Sequence, residues 1–405
     1  MAAAKDRRVL WIVFAFSISV VAISSVPIMF PASLTLTGGP IPGLPQEGPD
    51  RFETGSWSGL LIATNAAVFG LAFLHYKNRI PRMSGMFRRV FRFETSGRVT
   101  AVAMSVILAT YIAASAGELA EEETYADWAN LEKRLETWSP DSVAGGYEPH
   151  VKYAITAASM QVFGNYAVLP FVASISLVIL TYATTAQITQ KRFAGIVSAA
   201  VLLQSNVFLS YDTSATYTNF WTVFYVASLY FAKRMWHVSP VFFLLSIPSK
   251  ALAAMFAPMS IYYFLGSDMP KRRRVLVSAA TAAIVIAGAA AVMSGSSIGE
   301  AAYEGFDTAE FLMGFSSFAN QLRWDGLVLL FCMPLIAGLF VASRRGVRHA
   351  DSVMVMISGM LLLAPVLTGF TNQTNQPYRF VPLVVFFAMG VGILLSRIPT
   401  RGGQR

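Results

Sequence analysis

Charge is scarce in this sequence. Lys, Arg, Asp and Glu supply 13% of its 405 residues, where a soluble domain carries roughly a quarter. Cysteine is nearly absent: Cys332 stands alone, which excludes an intramolecular disulfide and any cysteine-based metal cluster. There is no internal repeat, heptad run or low-complexity tract, so a solenoid and a coiled coil are excluded as well. What the chain has in quantity is apolar side chains, 55% of the total. They recur in runs of about 18 residues or more, the length that crosses ~30 Å of hydrocarbon.

These runs predict an all-α polytopic membrane protein. Spans are expected near Val9–Phe30, Trp57–Tyr76, Val99–Ala116, Tyr166–Gln187, Phe193–Ser210 and Ala215–Ala232. A short pair follows, Val238–Ile247 and Ala251–Leu265, and then Val275–Met293, Gly326–Ala342, Val353–Phe370 and Val381–Leu395. Counting the short pair as a hairpin gives about 12 crossings. The first run follows Lys5, Arg7 and Arg8 but is long and lacks a small-residue cleavage site, so it is expected to stay as a helix. In "SIPSK", Pro248 cannot donate a backbone hydrogen bond, which predicts a break that lines a cavity or reaches the surface.

The net charge of +9 orients the chain rather than binding nucleic acid. With a cytoplasmic N-terminus, the inner loops hold 24 of the 31 Lys and Arg and only Asp6, Glu94, Asp268 and Asp351 of the 22 acids. Both termini are then cytoplasmic and the chain is a multi-pass protein of the cell membrane. Segment 77–98 reads as a basic cytoplasmic linker, while 31–56 and 294–325 read as outer loops.

The polar residues of interest fall on the outer side. "GELAEEETYADWANLEKRLETW", from Gly117, places four glutamates and an aspartate within ten residues at the mouth of a span. Helical spacing would put Glu118, Glu122 and Tyr125 on one face and Glu123, Asp127 and Asn130 on another. Trp128, Leu131, Leu135 and Trp138 would form an interface-seeking stripe. One reading is an amphipathic helix with a solvated acidic face. The other is a group of catalytic or metal-binding carboxylates, with Glu122 and Asp127 as the metal pair.

"EETYADWA" resembles the "DE-x-x-Y-x-x-x-A" signature that follows an early span in the GT-C superfamily of membrane glycosyltransferases. Further stretches resemble that superfamily in the same order: "GYEPHVKYAITAASMQVFGNYAVLP", "NVFLSYDTSATYTNFWTVFYVASLYFAKR", "IPSKALAAMFAPMSIYYFL" and "QPYRFVPLVVFF". The likeness covers roughly Val99 to Ser396. It makes 1–98 two added spans with their linker, 99–396 the catalytic domain and 397–405 a tail. Glu122 stands where the signature has its first Asp, and the "S-x-x-x-R" arginine is missing from the neighbourhood of Asp212 and Thr216.

The resemblance implies an enzyme that moves a sugar from a polyprenyl-phosphate donor to a glycan, lipid or protein acceptor on the outer face. Such chemistry needs a carboxylate to activate the acceptor, with or without a divalent Mg or Mn, and a cation at the leaving phosphate. Glu122, Glu123 and Asp127 are the catalytic candidates. Lys250, Arg379 and Arg323 are the phosphate candidates, against snorkelling for Lys250, interface anchoring for Arg379 and pairing with Asp325 for Arg323. Tyr125, Glu148, His150, Asp212 and Tyr378 are the substrate-contact candidates, with an Asx turn as the alternative for Asp212. Rival functions are an envelope polysaccharide polymerase or ligase, and a lipid-linked-glycan flippase. A transporter would bury charge in mid-membrane, whereas here charge falls in loops and at span edges.

Overall fold

The computed structural model describes residues 7–34, 52–139, 150–294, 305–370 and 376–396. Eighteen α-helices cover most of them. The first six are α1 (Arg7–Met29), α2 (Ser58–Tyr76), α3 (Pro81–Arg92), α4 (Gly97–Ser115), α5 (Trp128–Thr137) and α6 (His150–Phe163). The middle six are α7 (Val168–Thr189), α8 (Arg192–Leu202), α9 (Asn206–Leu209), α10 (Phe220–Arg234), α11 (Ser239–Ser246) and α12 (Ala257–Leu265). The last six are α13 (Lys271–Ser294), α14 (Thr308–Gly314), α15 (Ser316–Gln321), α16 (Gly326–Arg344), α17 (Ala350–Phe370) and α18 (Val381–Leu394).

Among the described residues, eight helical segments are long and apolar enough to cross a bilayer: those built on α1, α2, α4, α7, α13, α16, α17 and α18. The chain is therefore a polytopic helical membrane protein. The other four expected spans are shorter or broken. The run Phe193–Ser210 divides into α8 and α9 around Leu203–Ser205. Helix α10 begins only at Phe220, because the preceding residues form the polar turns of the site described below. The short pair is α11, a break at 247–250, a 3-10 turn over Ala251–Phe256, and α12.

Packing is graded by what each helix must face. Helix α18 is the most enclosed span, with 78% of its apolar window buried, and α2 the least, with 11%. The first packs among α7, α8, α16 and α17, so apolar side chains on every face are satisfied by protein. The second leaves most of its apolar surface outside the protein, as a lipid-facing span does. A close helix pair, α7 and α8, needs Gly195, where a Cβ would lie 2.6 Å from the Tyr182 carbonyl oxygen. Helices α1 and α2 pack on α16 and α17 rather than standing apart. Phe14 stacks on Phe340 at 4.1 Å, and the buried hydroxyls of Ser17 and Ser358 bond at 3.0 Å, a contact favoured where water is absent.

The basic end of the molecule is tied by polar bonds. Buried Lys191 donates to the carbonyls of Phe91 and Leu395, each at 3.0 Å. The Glu94 carboxylate accepts the N–H groups of Arg192 and Phe193 and so caps α8. Asp268 and Arg348 form an ion pair at the same end. If the charge bias sets the orientation, this end is cytoplasmic. Cysteines at exposed Arg79 and Asn130, in a Cys332→Ser background, should then label oppositely with an impermeant thiol reagent: Asn130→Cys from outside, Arg79→Cys only after permeabilisation.

Candidate functional site

The acidic stretch is not one helix. Ala116–Ala120 is a 3-10 turn, residues 122–125 have no helical structure, and α5 starts only at Trp128. Successive side chains therefore point to opposite sides, with a period near two rather than 3.6. Glu123 and Tyr125 both turn onto segment 210–217. Ser214 Oγ and the Ala215 N–H donate to the Glu123 carboxylate at 2.7 and 2.8 Å, and Tyr125 OH donates to the Ser210 carbonyl at 2.6 Å. Glu122, just before them, is exposed. Beyond the bend, Leu131 and Leu135 of α5 bury against Tyr153 of α6, with Trp128 and Trp138 packed beside them. The expected apolar stripe exists, but it faces α6.

A polar chain runs from these acids into a cavity. Asp127, exposed, accepts from Tyr217 OH at 2.7 Å. The Tyr217 ring stacks on that of Tyr378 at 4.2 Å. Tyr378 OH accepts from Lys250 Nζ at 2.9 Å, and the same ammonium lies 4.3 Å from the Tyr378 ring centre, a cation–π contact. Lys250 stands in the expected break, extended between α11 and the 3-10 turn. The cavity, of about 380 Å³, is lined by Lys152, Lys250, Arg379, Tyr217, Tyr378 and Trp221 among others. Of the candidates read from the sequence, Lys250, Arg379 and Tyr378 line this cavity; Lys152, which does too, is not among them. It lies on α6 in a run of small and apolar residues. Its neighbour Val151 donates a backbone bond to Pro248 at 3.2 Å, fixing α6 against the break.

The other candidates lie elsewhere. Arg323 is exposed over the Trp324 ring and does not line the cavity. Its expected partner Asp325 instead accepts the N–H groups of Asn206 and Val207 at 3.0 and 2.9 Å, capping α9. Asp212 is fully buried and accepts from Ser115 Oγ at 2.9 Å, away from the cavity lining. Burial pushes its carboxyl up to about 6, opposed by bonds from Tyr111 and Ser115. His150 opens α6, and Glu148 lies outside the described residues.

Electrostatics single out the cavity. Lys152 Nζ donates to the Thr216 carbonyl at 2.5 Å. Burial and the positive charge of Lys250 lower its amine to about 7, against the attraction of Glu123 and Asp127. Burial lowers Lys250 too, opposed first by Tyr378. Cations held near one another, and hydrogen-bonded to a carbonyl and a phenol rather than to a carboxylate, are poised for an anion. The acids do not suit a divalent metal as arranged. Both Glu123 oxygens and one Asp127 oxygen carry hydrogen bonds. Among the described residues no three His, Cys, Asp or Glu side chains converge.

Compared with family models, curated proteins and solved structures, the chain matches none.

Bound anions favour the protonated amine, so binding near pH 7 is coupled to proton uptake by Lys152. Sulfate, whose charge is constant in this range, should bind more weakly as pH rises from about 6 to about 8.5, by up to about tenfold per unit above the amine's pKa. Thermal stabilisation by sulfate in detergent measures this. Lys152→Met should flatten the pH dependence.

Proposed function

We propose that the chain is a membrane glycosyltransferase of GT-C type. It takes a sugar from a polyprenyl-phosphate donor and passes it to an acceptor at the outer face. The observation that carries this reading is the meeting of Lys152, Lys250 and Arg379 in one cavity whose aromatic wall reaches the Asp127 carboxylate. The about 12-crossing topology and the cytoplasmic termini belong to the same proposal and rest on charge bias.

The residues divide the work as follows. The donor's phosphate sits among the three cations, while Tyr217, Tyr378 and Trp221 supply ring faces for the sugar. The acceptor hydroxyl attacks the anomeric carbon from the side opposite the phosphate, and the bond from that carbon to the phosphate oxygen breaks. Its electron pair leaves on the phosphate, where the cations stabilise the charge. The acceptor's proton passes to a carboxylate. Asp127 is the better base than Glu122, because its carboxylate is joined to the cavity wall through Tyr217 while Glu122 is exposed with no such link. Glu123 holds the Ser214–Ala215 turn and positions the residues that follow it.

Interfacial chemistry is also favoured over transport by where charge lies. Within the eight candidate spans, the described Asp, Glu, Lys and Arg side chains stand in the first or last turns. A flippase would require charge nearer the middle.

Transfer from a synthetic polyprenyl-phosphate sugar tests the proposal. Lys250→Ala and Arg379→Ala should each weaken donor use by roughly 1.5–3 kcal/mol, the worth of a charge-assisted contact. Asp127→Asn should lower the rate ~10²–10⁴-fold, as loss of a general base does. Glu132→Gln and Glu136→Gln should be nearly silent. Parental transfer by the Lys250, Arg379 and Asp127 variants together would remove the assignment.

A further inference from the structure

The linker between the second and third spans is itself a structured element. Helix α3 has 12 residues, "PRMSGMFRRVFR". At 100° per residue, Met83, Met86, Phe87, Val90 and Phe91 fall within an arc of about 140°. Arg82, Arg88, Arg89 and Arg92, with Ser84 and Gly85, occupy the opposite arc. No acid occurs between Lys77 and Phe93. The segregation is complete.

Protein holds α3 near Ser84 and Phe87 and at its C-terminal end, and leaves Met86, Val90 and Phe91 of its apolar arc open. At the first tie His75 Nδ1 and Ser84 Oγ bond at 2.7 Å and Phe87 sets its edge against His75. At the other, Lys191 holds the Phe91 carbonyl and Phe93 packs edge-on against Phe193. Between these ties Met86 is 56% exposed, Val90 40% and Phe91 41%. Position within the chain says what covers them. The helix joins the end of one bilayer-crossing helix, α2, to the start of another, α4. Both junctions lie at one face of the membrane, so a ~18 Å helix between them lies along that face.

We propose that α3 is an in-plane interfacial helix that binds anionic phospholipid. Its apolar arc enters the acyl boundary and its arginines take lipid phosphate groups bidentately. The occupant of the open face is the bilayer surface, argued from the continuity with two spans and from the unbroken positive charge of the opposite arc. Arginine suits this role because its planar fork matches phosphate geometry. The ties at His75 and Lys191 fix the helix so that lipid meets a preformed surface. The inference is independent of the glycosyltransferase reading.

The full chain, with Cys332→Ser, is placed in nanodiscs and labelled with an environment-sensitive fluorophore at Val90→Cys or, separately, at Gly85→Cys on the polar arc. A Cβ at Gly85 meets no other atom within 4 Å. The probe at position 90 should be quenched by spin-labelled lipid and shielded from aqueous iodide, and that at position 85 should behave oppositely. In discs of phosphatidylcholine with about a third phosphatidylglycerol, lipids retained by the chain are counted by native mass spectrometry; each arginine changed to Gln among Arg88, Arg89 and Arg92 should lower the phosphatidylglycerol preference about five-fold. The Lys versions, which keep the charge, should retain much of it. Equal iodide quenching at positions 90 and 85, or an unchanged lipid preference in the triple Gln variant, would overturn the proposal and point to a soluble partner for this surface.

Discussion

The site is organised around two enclosed ammonium groups whose hydrogen-bond acceptors are neutral oxygens. Lys250 is held by a phenol oxygen and a ring face, and Lys152 by a carbonyl. Each contact compensates only part of the lost hydration. The mutual repulsion of the cations adds to the cost. An arrangement of this kind is unfavourable when empty and favourable around an anion, and most of the surrounding structure serves to maintain it.

Three departures from regular helix make the arrangement possible. The break before Lys250 places its side chain between α11 and the 3-10 turn, where a continuous helix would carry it along one face. The bend at Glu121–Tyr125 turns Glu123 and Tyr125 onto segment 210–217. That segment delays the start of α10 and so sends Tyr217 toward Tyr378. Each departure leaves backbone groups without helical partners. Side chains and neighbouring backbone take them up, as when the Ala215 N–H meets Glu123 and the Val151 N–H meets the Pro248 carbonyl. Irregular backbone at this depth is tolerated where it lines a cavity.

The opposite end of the molecule is built on a different balance. There Lys191, Glu94 and Asp268 use their charges to join segments distant in sequence, and most of the described arginines stay exposed. Positive charge is structural and interfacial at this end, but concentrated and enclosed at the other. The same residue types thus serve anchoring on one side and anion recognition on the other, because burial differs.

Length and hydrophobicity alone determined that the chain is helical and crosses the membrane repeatedly, since the cost of bare backbone in hydrocarbon leaves few alternatives. Proline in "SIPSK" located the break, and the rarity of charge picked out Lys250 and Arg379. The 3.6-residue period misled at Glu121–Tyr125: tertiary bonds to Ser210, Ser214 and Ala215 stabilise an extended stretch there, so Glu123 rather than Glu122 faces the fold. Lys152 was invisible because nothing in its own neighbourhood marks it. Only the docking of α6 against the break brings it to Lys250, and such proximity between residues about a hundred positions apart is a property of packing. Arg323 and Asp325 show the converse, since adjacency in sequence suggested an ion pair that the backbone N–H groups of α9 displaced. Local chemistry is written in the sequence; which side chains share a cavity is decided when the helices pack.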